Sequence, residues 1–407
     1  MTEQRTIVPI AVVLSGFEAG GTERQMTELI RRLDRRRFRV HVVCFRRRGP
    51  WLRRVETSAY EVVDFPMRSF KSPAAANALI AFARWLRHRR ITVVHTCDLP
   101  ANVFALTGAA LARVPVRIGS RRELTPPDKT RVHLTAQRLA YRAAHRIVAN
   151  SAAAATCLAA EGIVESRIAV IPNGVDLSAF PARARGAGDF ATRARTHDRP
   201  IVCTVANLRP EKGHDVLLRA AAIVLKRMPH ARFRLVGEGP LRQPLGELAA
   251  SLGIADAVEF LGHREDVPAL LADSDLCAFP SRTEAFPNGL IEGMAAGLPV
   301  VASAVGGILE LVDEGRNGLL VPVDDPAALA AGIQRLLDDG ATSVRLGEAA
   351  RATIESRYSF DRMVASFEEL YLSELAASRF GAARTRRIAR QARSLAGPAR
   401  QGVGTVE

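Results

Sequence analysis

The sequence predicts an α/β protein made of two units, each a parallel sheet flanked by helices. Short apolar runs alternate with amphipathic stretches along most of the chain. That is the rhythm of parallel strands covered on both faces by helices. The rhythm stops across residues 181–199 and restarts at Pro200. The length, 407 residues, accommodates two cores at roughly 100–200 residues per domain.

In the first unit, residues 10–14 (IAVVL) read as a buried strand. Residues 22–36 read as the helix after it, with Met26, Leu29, Ile30 and Leu33 at helical spacing. Residues 40–45, 91–95, 116–119 and 146–149 are further strands, separated by Ala-rich helical stretches. Residues 168–172 run into Asn173-Gly174, a turn signal. The second unit repeats the pattern with strands at 200–206, 233–236, 258–261, 276–279 and 299–303. Residues 358–376 form a last amphipathic helix. After it, residues 379–400 hold seven arginines and no acid, which suits a solvated basic tail or a helix lying on anionic lipid. The expected organisation is therefore a first unit over 1–177, a linker or excursion over 178–199, a second unit over 200–357, the helix over 358–376 and a basic tail over 377–407.

Hydrophobic residues make up 48% and charged residues 24%, ordinary globular composition rather than disorder. The five cysteines lie far apart with no CxxC pair, which excludes a disulfide scaffold and a zinc ribbon and fits a reducing compartment. The start lacks the basic region and cleavage site of a signal peptide. No apolar stretch approaches the ~20 residues of a membrane span, so a cytoplasmic location is expected. The net charge is +15 and the pI about 10.7. Only four residues, Lys71, Lys129, Lys212 and Lys226, are lysines; the rest of that positive charge is arginine. This reads either as genome composition or as an anionic partner: phosphate, lipid headgroup or nucleic acid. Aromatics at 5% count against single-stranded nucleic acid, which stacks on rings. No dinucleotide fingerprint or P-loop is present, since Gly237-Glu-Gly239 lacks its third glycine.

The sharpest chemistry lies in Ser281-Arg-Thr-Glu284-Ala-Phe286-Pro-Asn288-Gly289-Leu290-Ile-Glu292. A strand ends just before it and a helix opens at Pro287-Asn288-Gly289, so Glu284 sits at the strand's carboxyl edge and Glu292 on the helix. Ligands of open α/β sheets bind at that edge. A helix start offers unpaired N–H groups and partial positive charge, which suits phosphate. Two carboxylates suit vicinal hydroxyls. Phosphate and diols together describe a nucleotide sugar. Lys212 follows another strand at the same edge and suits a diphosphate, where a fixed cation stabilises the growing charge of a leaving group. Gly20-Gly21 at the first strand's end permits close approach of backbone and ligand. Thr22 and Gln25 have capping-box spacing.

The seven residues between Glu284 and Glu292 match the E-x7-E signature, and the segment resembles retaining glycosyltransferases of the GT-B fold, family 4 type. Pro299-Val-Val-Ala, Gly306-Gly307-Ile-Leu-Glu310, Leu208-Arg-Pro-Glu-Lys212-Gly-His214-Asp and Val170-Ile-Pro-Asn173-Gly-Val-Asp176 also resemble that family. The resemblance implies two facing Rossmann-like domains, with the last helix crossing back to the first. It implies a nucleoside diphosphate sugar held mainly by the second domain through Gly21, Arg209, Lys212, His263, Arg264, Glu284, Phe286, Asn288, Gly289, Leu290 and Glu292. Glu292 takes the ribose diol, Glu284 the sugar hydroxyls, and His263 and Arg264 the nucleobase. The family often has an arginine where this chain has Asn207, and Arg209 is the candidate replacement. Glu284, Lys212 and His95 are the candidate catalytic groups. The residues leave His95 open as either the sugar contact or a buried structural histidine. Asp98 is a further polar candidate, and Ser120-Arg121-Arg122-Glu123 follows another strand and is expected to reach the acceptor side, so Asp98 and Arg121 are the acceptor-side candidates. Asp273-Ser-Asp275 is not expected to bind metal, and no cofactor is expected. The expected activity is retaining transfer to a saccharide or lipid-linked acceptor in cell-envelope or exopolysaccharide synthesis, at an anionic membrane surface and peripheral to the inner face of the membrane. A nucleotide-sugar epimerase or phosphorylase of the same fold, and more remotely a basic nucleic-acid-binding protein, are the alternatives.

Overall fold

A computed structural model describes residues 7–66, 73–124, 131–181 and 199–378. The first unit runs β1 (Val8–Leu14), α1 (Gly21–Arg32), β2 (Phe38–Cys44), α2 (Leu52–Glu56), β3 (Glu61–Asp64), α3 (Pro73–His88), β4 (Val93–Thr96), α4 (Leu99–Leu111), β5 (Val116–Arg121), α5 (Arg131–Tyr141), β6 (Arg146–Ala149), α6 (Ala152–Ala160) and β7 (Ile168–Val170). Its seven strands are all parallel, in the order 3-2-1-4-5-6-7. The second unit runs β8 (Ile201–Val205), α7 (His214–Arg227), β9 (Arg232–Val236), α8 (Arg242–Ser251), β10 (Val258–Gly262), α9 (Val267–Ala272), β11 (Leu276–Phe279), α10 (Asn288–Ala295), β12 (Val300–Ser303), α11 (Ile308–Leu311), β13 (Leu319–Val321), α12 (Pro326–Asp338) and α13 (Gly340–Arg357). Its six strands are also parallel, in the order 10-9-8-11-12-13. Strand order reverses beside β1 and β4 in the first sheet and beside β8 and β11 in the second. Those reversals open the crevices in which such sheets hold ligands.

The last helix, α14 (Phe360–Ala377), returns to the first unit. Phe360, Met363, Val364, Phe367 and Tyr371 are buried in one cluster with Ile10, Met26, Phe38 and Val42. Burying each large apolar side chain contributes roughly 1.5–3 kcal/mol. Ion pairs fix the rotation of the helix: Arg32–Asp361 at 3.1 Å, Arg37–Glu368 at 2.7 Å and Arg146–Glu374 at 2.6 Å. The crossing back expected from the sequence is present.

Three local expectations need correction. The first helix ends at Arg32 rather than residue 36, because Leu33 turns extended and the N–H groups of Arg37 and Phe38 fold back onto the Asp34 carbonyl. The edge strands β3 and β13 were not expected. The capping box does not form: Gly20 is the cap residue, and the Gln25 amide reaches Gly174 instead, donating to its carbonyl at 2.9 Å and accepting from its N–H at 3.0 Å. The linker residues 182–198 and the basic tail from residue 379 lie outside the described residues.

Candidate functional site

In the second unit, the carboxyl ends of β8, β11 and β12 bring the predicted groups together. After β8 the chain makes a single 3-10 turn, Pro210–Lys212, and reverses at Gly213 with φ +64°. The Pro280 carbonyl oxygen lies 2.0 Å from where a Cβ on Gly213 would sit. Backbone handedness and space therefore both demand glycine there. This turn delivers the Lys212 ammonium to Glu284, with Nζ donating to Oε1 at 2.7 Å; Ser281 Oγ donates to the same oxygen at 2.9 Å. Arg282 locks the loop from behind, forking onto Asp215 at 2.8 and 2.9 Å and onto Asp324 at 2.6 Å. That fork holds the Asp215 carboxyl below its usual range.

Helix α10 starts beside this pair. No side chain caps it, so its first amides are unspent by the helix. Its start packs against β8, with the Val205 carbonyl oxygen 2.0 Å from the Cβ position of Gly289. Glu292 lies further along the same helix and is buried. His214, first residue of α7, is buried with both ring nitrogens unpartnered. Burial, and then the neighbouring Lys212, push its pKa down to about 4.

The first unit closes over these groups. Arg24 of α1 forms an ion pair with Glu292. The Asn288 side chain accepts from Asn173 at 2.7 Å and from Gln25 at 3.2 Å, and donates to the Gly21 carbonyl at 3.3 Å. A Cβ on Gly21 would stand 2.6 Å from the Asn288 amide nitrogen, so the close approach at Gly20-Gly21 is made here by protein. Glu310 crosses the other way, accepting from the Ala152 and Ala153 N–H groups at 2.9 and 3.0 Å. A carboxylate at that helix start meets unpaired donors and the positive end of the dipole.

Several predicted site residues stand elsewhere. His95 is fully buried, with Nδ1 2.8 Å from the Tyr371 hydroxyl and Nε2 2.9 Å from Ser120 Oγ. Burial pushes its pKa down to about 3. It is a buried histidine joining β4, β5 and α14, with both ring nitrogens spent inside the protein, which corrects the expectation of a catalytic role. Asp98 caps α4, accepting from the Ala101 N–H at 2.9 Å, and also holds Ser15 through its N–H at 2.8 Å and hydroxyl at 2.7 Å. Arg121 is 2% exposed and spends its N–H groups on the Glu123 and Leu124 carbonyls and on Glu161. Both therefore have their polar atoms engaged within the first unit. Phe286 and Leu290 are buried core beneath the helix start, Phe286 against Tyr358. Arg209 is exposed at the start of the Lys212 turn. His263 is exposed, and Arg264 is tied to Asp266 at 2.5 Å. Asp275 accepts from the Ile201 N–H at 2.8 Å, pinning β11 to β8. Among the described residues no group of three potential metal ligands converges. A separate cavity of about 700 Å³, bordered by Arg113, Arg117, His145 and Glu374, lies at the opposite, amino-terminal edge of the first sheet.

Arg24 was missed: it is one arginine in an arginine-rich sequence and no local spacing distinguishes it, whereas Arg122 belongs to the Ser120–Glu123 segment that the sequence places toward the acceptor side. Arg24 does fall one turn into the helix that follows Gly20-Gly21, which is the only signal available.

Comparison with known proteins agrees with this architecture. The family described as Glycosyltransferase Family 4 matches residues 19–179, and that described as Glycosyl transferases group 1 matches residues 189–353. A D-inositol 3-phosphate glycosyltransferase of Salinispora arenicola is 37% identical over 312 residues, covering 72% of this chain and 66% of that protein. A GDP-mannose-dependent alpha-(1-6)-phosphatidylinositol monomannoside mannosyltransferase of Mycobacterium tuberculosis is 31% identical over 216 residues, covering 51% of this chain and 56% of that protein. The chain thus spans between about half and two thirds of these curated relatives. Among solved structures, Anabaena HepE in complex with UDP and glucose superposes with a TM-score of 0.78 at 24% identity, covering 89% of this chain and 99% of that one. With two matching families end to end and a shared two-sheet architecture, the chain belongs to the family 4, group 1 glycosyltransferases and has the GT-B fold.

Proposed function

We propose that the protein moves a sugar from a nucleoside diphosphate sugar to an acceptor hydroxyl with retention of anomeric configuration. The observation that carries this is the grouping of Lys212, Glu284 and the uncapped start of α10 at one sheet edge, with Glu292 on the same helix. The diphosphate lies against Lys212 and the amides of Asn288, Gly289 and Leu290. Ribose hydroxyls donate to Glu292, and hydroxyls of the transferred sugar donate to Glu284. Binding therefore requires Lys212 to share itself between Glu284 and phosphate, and Arg24 to release Glu292.

In the reaction the bond from the sugar's anomeric carbon to the phosphate oxygen breaks. The acceptor oxygen bonds to that carbon from the same face, and its proton passes to the leaving phosphate oxygen. Lys212 and the helix start stabilise the charge that grows on the diphosphate, so their contribution is larger in the transition state than in the ground state. The residues present supply that neutralisation without a resident metal or cofactor. Closure of the two units excludes water from the cleft.

The acceptor we propose is a saccharide, polyol or lipid-linked saccharide used in building the cell envelope. The two relatives, a D-inositol 3-phosphate glycosyltransferase and a phosphatidylinositol monomannoside mannosyltransferase, support that class. No helix among the described residues is long and apolar enough to cross a membrane. We place the protein in the cytoplasm, peripheral to an anionic membrane surface, on the strength of its +15 charge. Thermal melts with UDP, GDP and ADP sugars test the donor assignment. One nucleotide is expected to raise Tm, consistent with about 2.7 kcal/mol at a hundredfold excess over Kd. No response to any of them would refute it. Sedimentation with vesicles of neutral and anionic lipid tests the membrane surface, with binding expected to the anionic vesicles only; equal, negligible binding to both would discard it.

A further inference from the structure

We infer that Arg122 forms a subsite on the first unit's wall of the cleft for an oxyanion, phosphate or carboxylate, carried by the acceptor. The inference rests on the transferase reading above and names a feature of its second substrate.

Arg122 directly follows β5, at the carboxyl edge of the first sheet. Its Nη2 donates to Asn173 Oδ1 at 2.5 Å. Its Nε and Nη1 are sealed from solvent and have no hydrogen-bond acceptor. No carboxylate comes within ion-pair distance of it among the described residues. The acid that faces it, Glu23, is itself desolvated, which raises that carboxyl's pKa. Burial likewise pulls the Arg122 guanidinium down to about 10. Two other arginines of the same unit, the buried Arg121 and the half-buried Arg117, are satisfied. Arg121 spends itself on two carbonyls and Glu161, and Arg117 on the carbonyls of Ala143 and Val114. Those two arginines are thus satisfied, whereas Arg122 keeps two donors, Nε and Nη1, without an acceptor. A desolvated cation with unspent donors favours an anionic ligand.

A second unspent group stands on the neighbouring strand end. Asn150 directly follows β6, and its N–H donates to the Arg121 carbonyl at 3.3 Å. Its Oδ1 is buried without a donor, and an acceptor of that kind suits a hydroxyl. An oxyanion and a hydroxyl side by side describe a phosphorylated or acidic sugar or polyol. The donor's diphosphate already has Lys212 and the start of α10 on the opposite wall. The same oxyanion chemistry is present in that diphosphate, so the experiment separates the two sources.

Inorganic phosphate and a hexose monophosphate are titrated into the full chain in phosphate-free buffer, with and without the nucleoside diphosphate that raises Tm. The wild type is expected to show a further Tm rise with phosphate on top of the nucleotide's. Arg122→Met is expected to lose at least tenfold in apparent phosphate affinity, with nucleotide affinity changed less than twofold. Its Tm without ligand is expected to rise, because an unspent buried cation has been removed. Arg122→Lys, which keeps the charge but not the guanidinium, is expected to fall between. Absence of any phosphate response in the wild type would overturn the inference. So would phosphate competing with nucleotide while Arg122→Met weakens nucleotide tenfold, since the group would then serve the donor. Should no nucleotide bind at all, the donor reading fails separately, and the phosphate titration of the unliganded protein still decides whether Arg122 binds oxyanions.

Discussion

At the scale of single residues, the cleft is defined by which charges are already paired. Arg24 occupies the carboxylate assigned to ribose. Its removal has two opposed consequences. Glu292 is left buried without its cation, so the unliganded protein is expected to melt lower. Ribose hydroxyls then meet no competitor, so nucleotide is expected to bind severalfold tighter to Arg24→Ala, measured by calorimetric titration. A weaker nucleotide with unchanged stability would contradict the pairing. His95 gives a prediction on pH. Its pKa is about 3 in the folded protein against about 6.5 when exposed. Below pH 6.5 the unfolded chain takes up a proton that the folded chain refuses, so stability falls as pH drops toward 3, by up to about 1.4 kcal/mol per pH unit. His95→Gln is expected to flatten that slope in urea melts between pH 6.5 and 4.5; an unchanged slope would contradict burial as the cause. The sequence left the two roles of His95 open, because a strand end near a cleft and a buried core position look alike in one dimension. Its partner Tyr371 lies 276 residues away, beyond any local pattern.

At the scale of elements, strand cores were legible wherever a run of Val, Ile and Leu was bounded by turns. Residues 276–279 and 146–149 match β11 and β6 in full. The edge strands β3 and β13 are short, and Glu61–Asp64 carries an acid at each end, so neither stands out as a buried run. The start of α10 was legible because Pro287-Asn288-Gly289 breaks one element and opens another. The start of α1 was misread because capping-box spacing exists in Thr22 and Gln25, while Gln25 bonds across to Gly174 instead. Position of a helix is fixed as much by its neighbours as by its own caps, and Glu310 on the start of α6 is an example. Glu310→Ala is expected to cost about 1 kcal/mol, the usual worth of a lost cap or dipole partner, and to widen the separation of the two units in small-angle scattering. No change in either would show that the contact is incidental. Gly213→Ala is expected to cost more, since it combines a left-handed backbone with the Pro280 carbonyl in the way, and to weaken nucleotide binding by displacing Lys212.

At the scale of the molecule, two similar sheets carry unequal shares of the work. The second supplies the cation, the carboxylates and the open helix start. The first supplies a lid made of Gly21, Arg24, Gln25 and Asn173, bonded to or paired with α10 side chains, and α14 ties both units into one chain path. With the donor bound as proposed, the pairs Arg24–Glu292 and Lys212–Glu284 would have ligand entry exchange protein contacts for substrate contacts rather than fill an idle pocket. A crystal structure with the activating nucleoside diphosphate bound tests this most directly. Ribose hydroxyls are expected within hydrogen-bond distance of Glu292, with Arg24 turned away and the Lys212 ammonium on a phosphate oxygen. A nucleotide lodged elsewhere, with Arg24 still on Glu292 and Lys212 still on Glu284 alone, would contradict it.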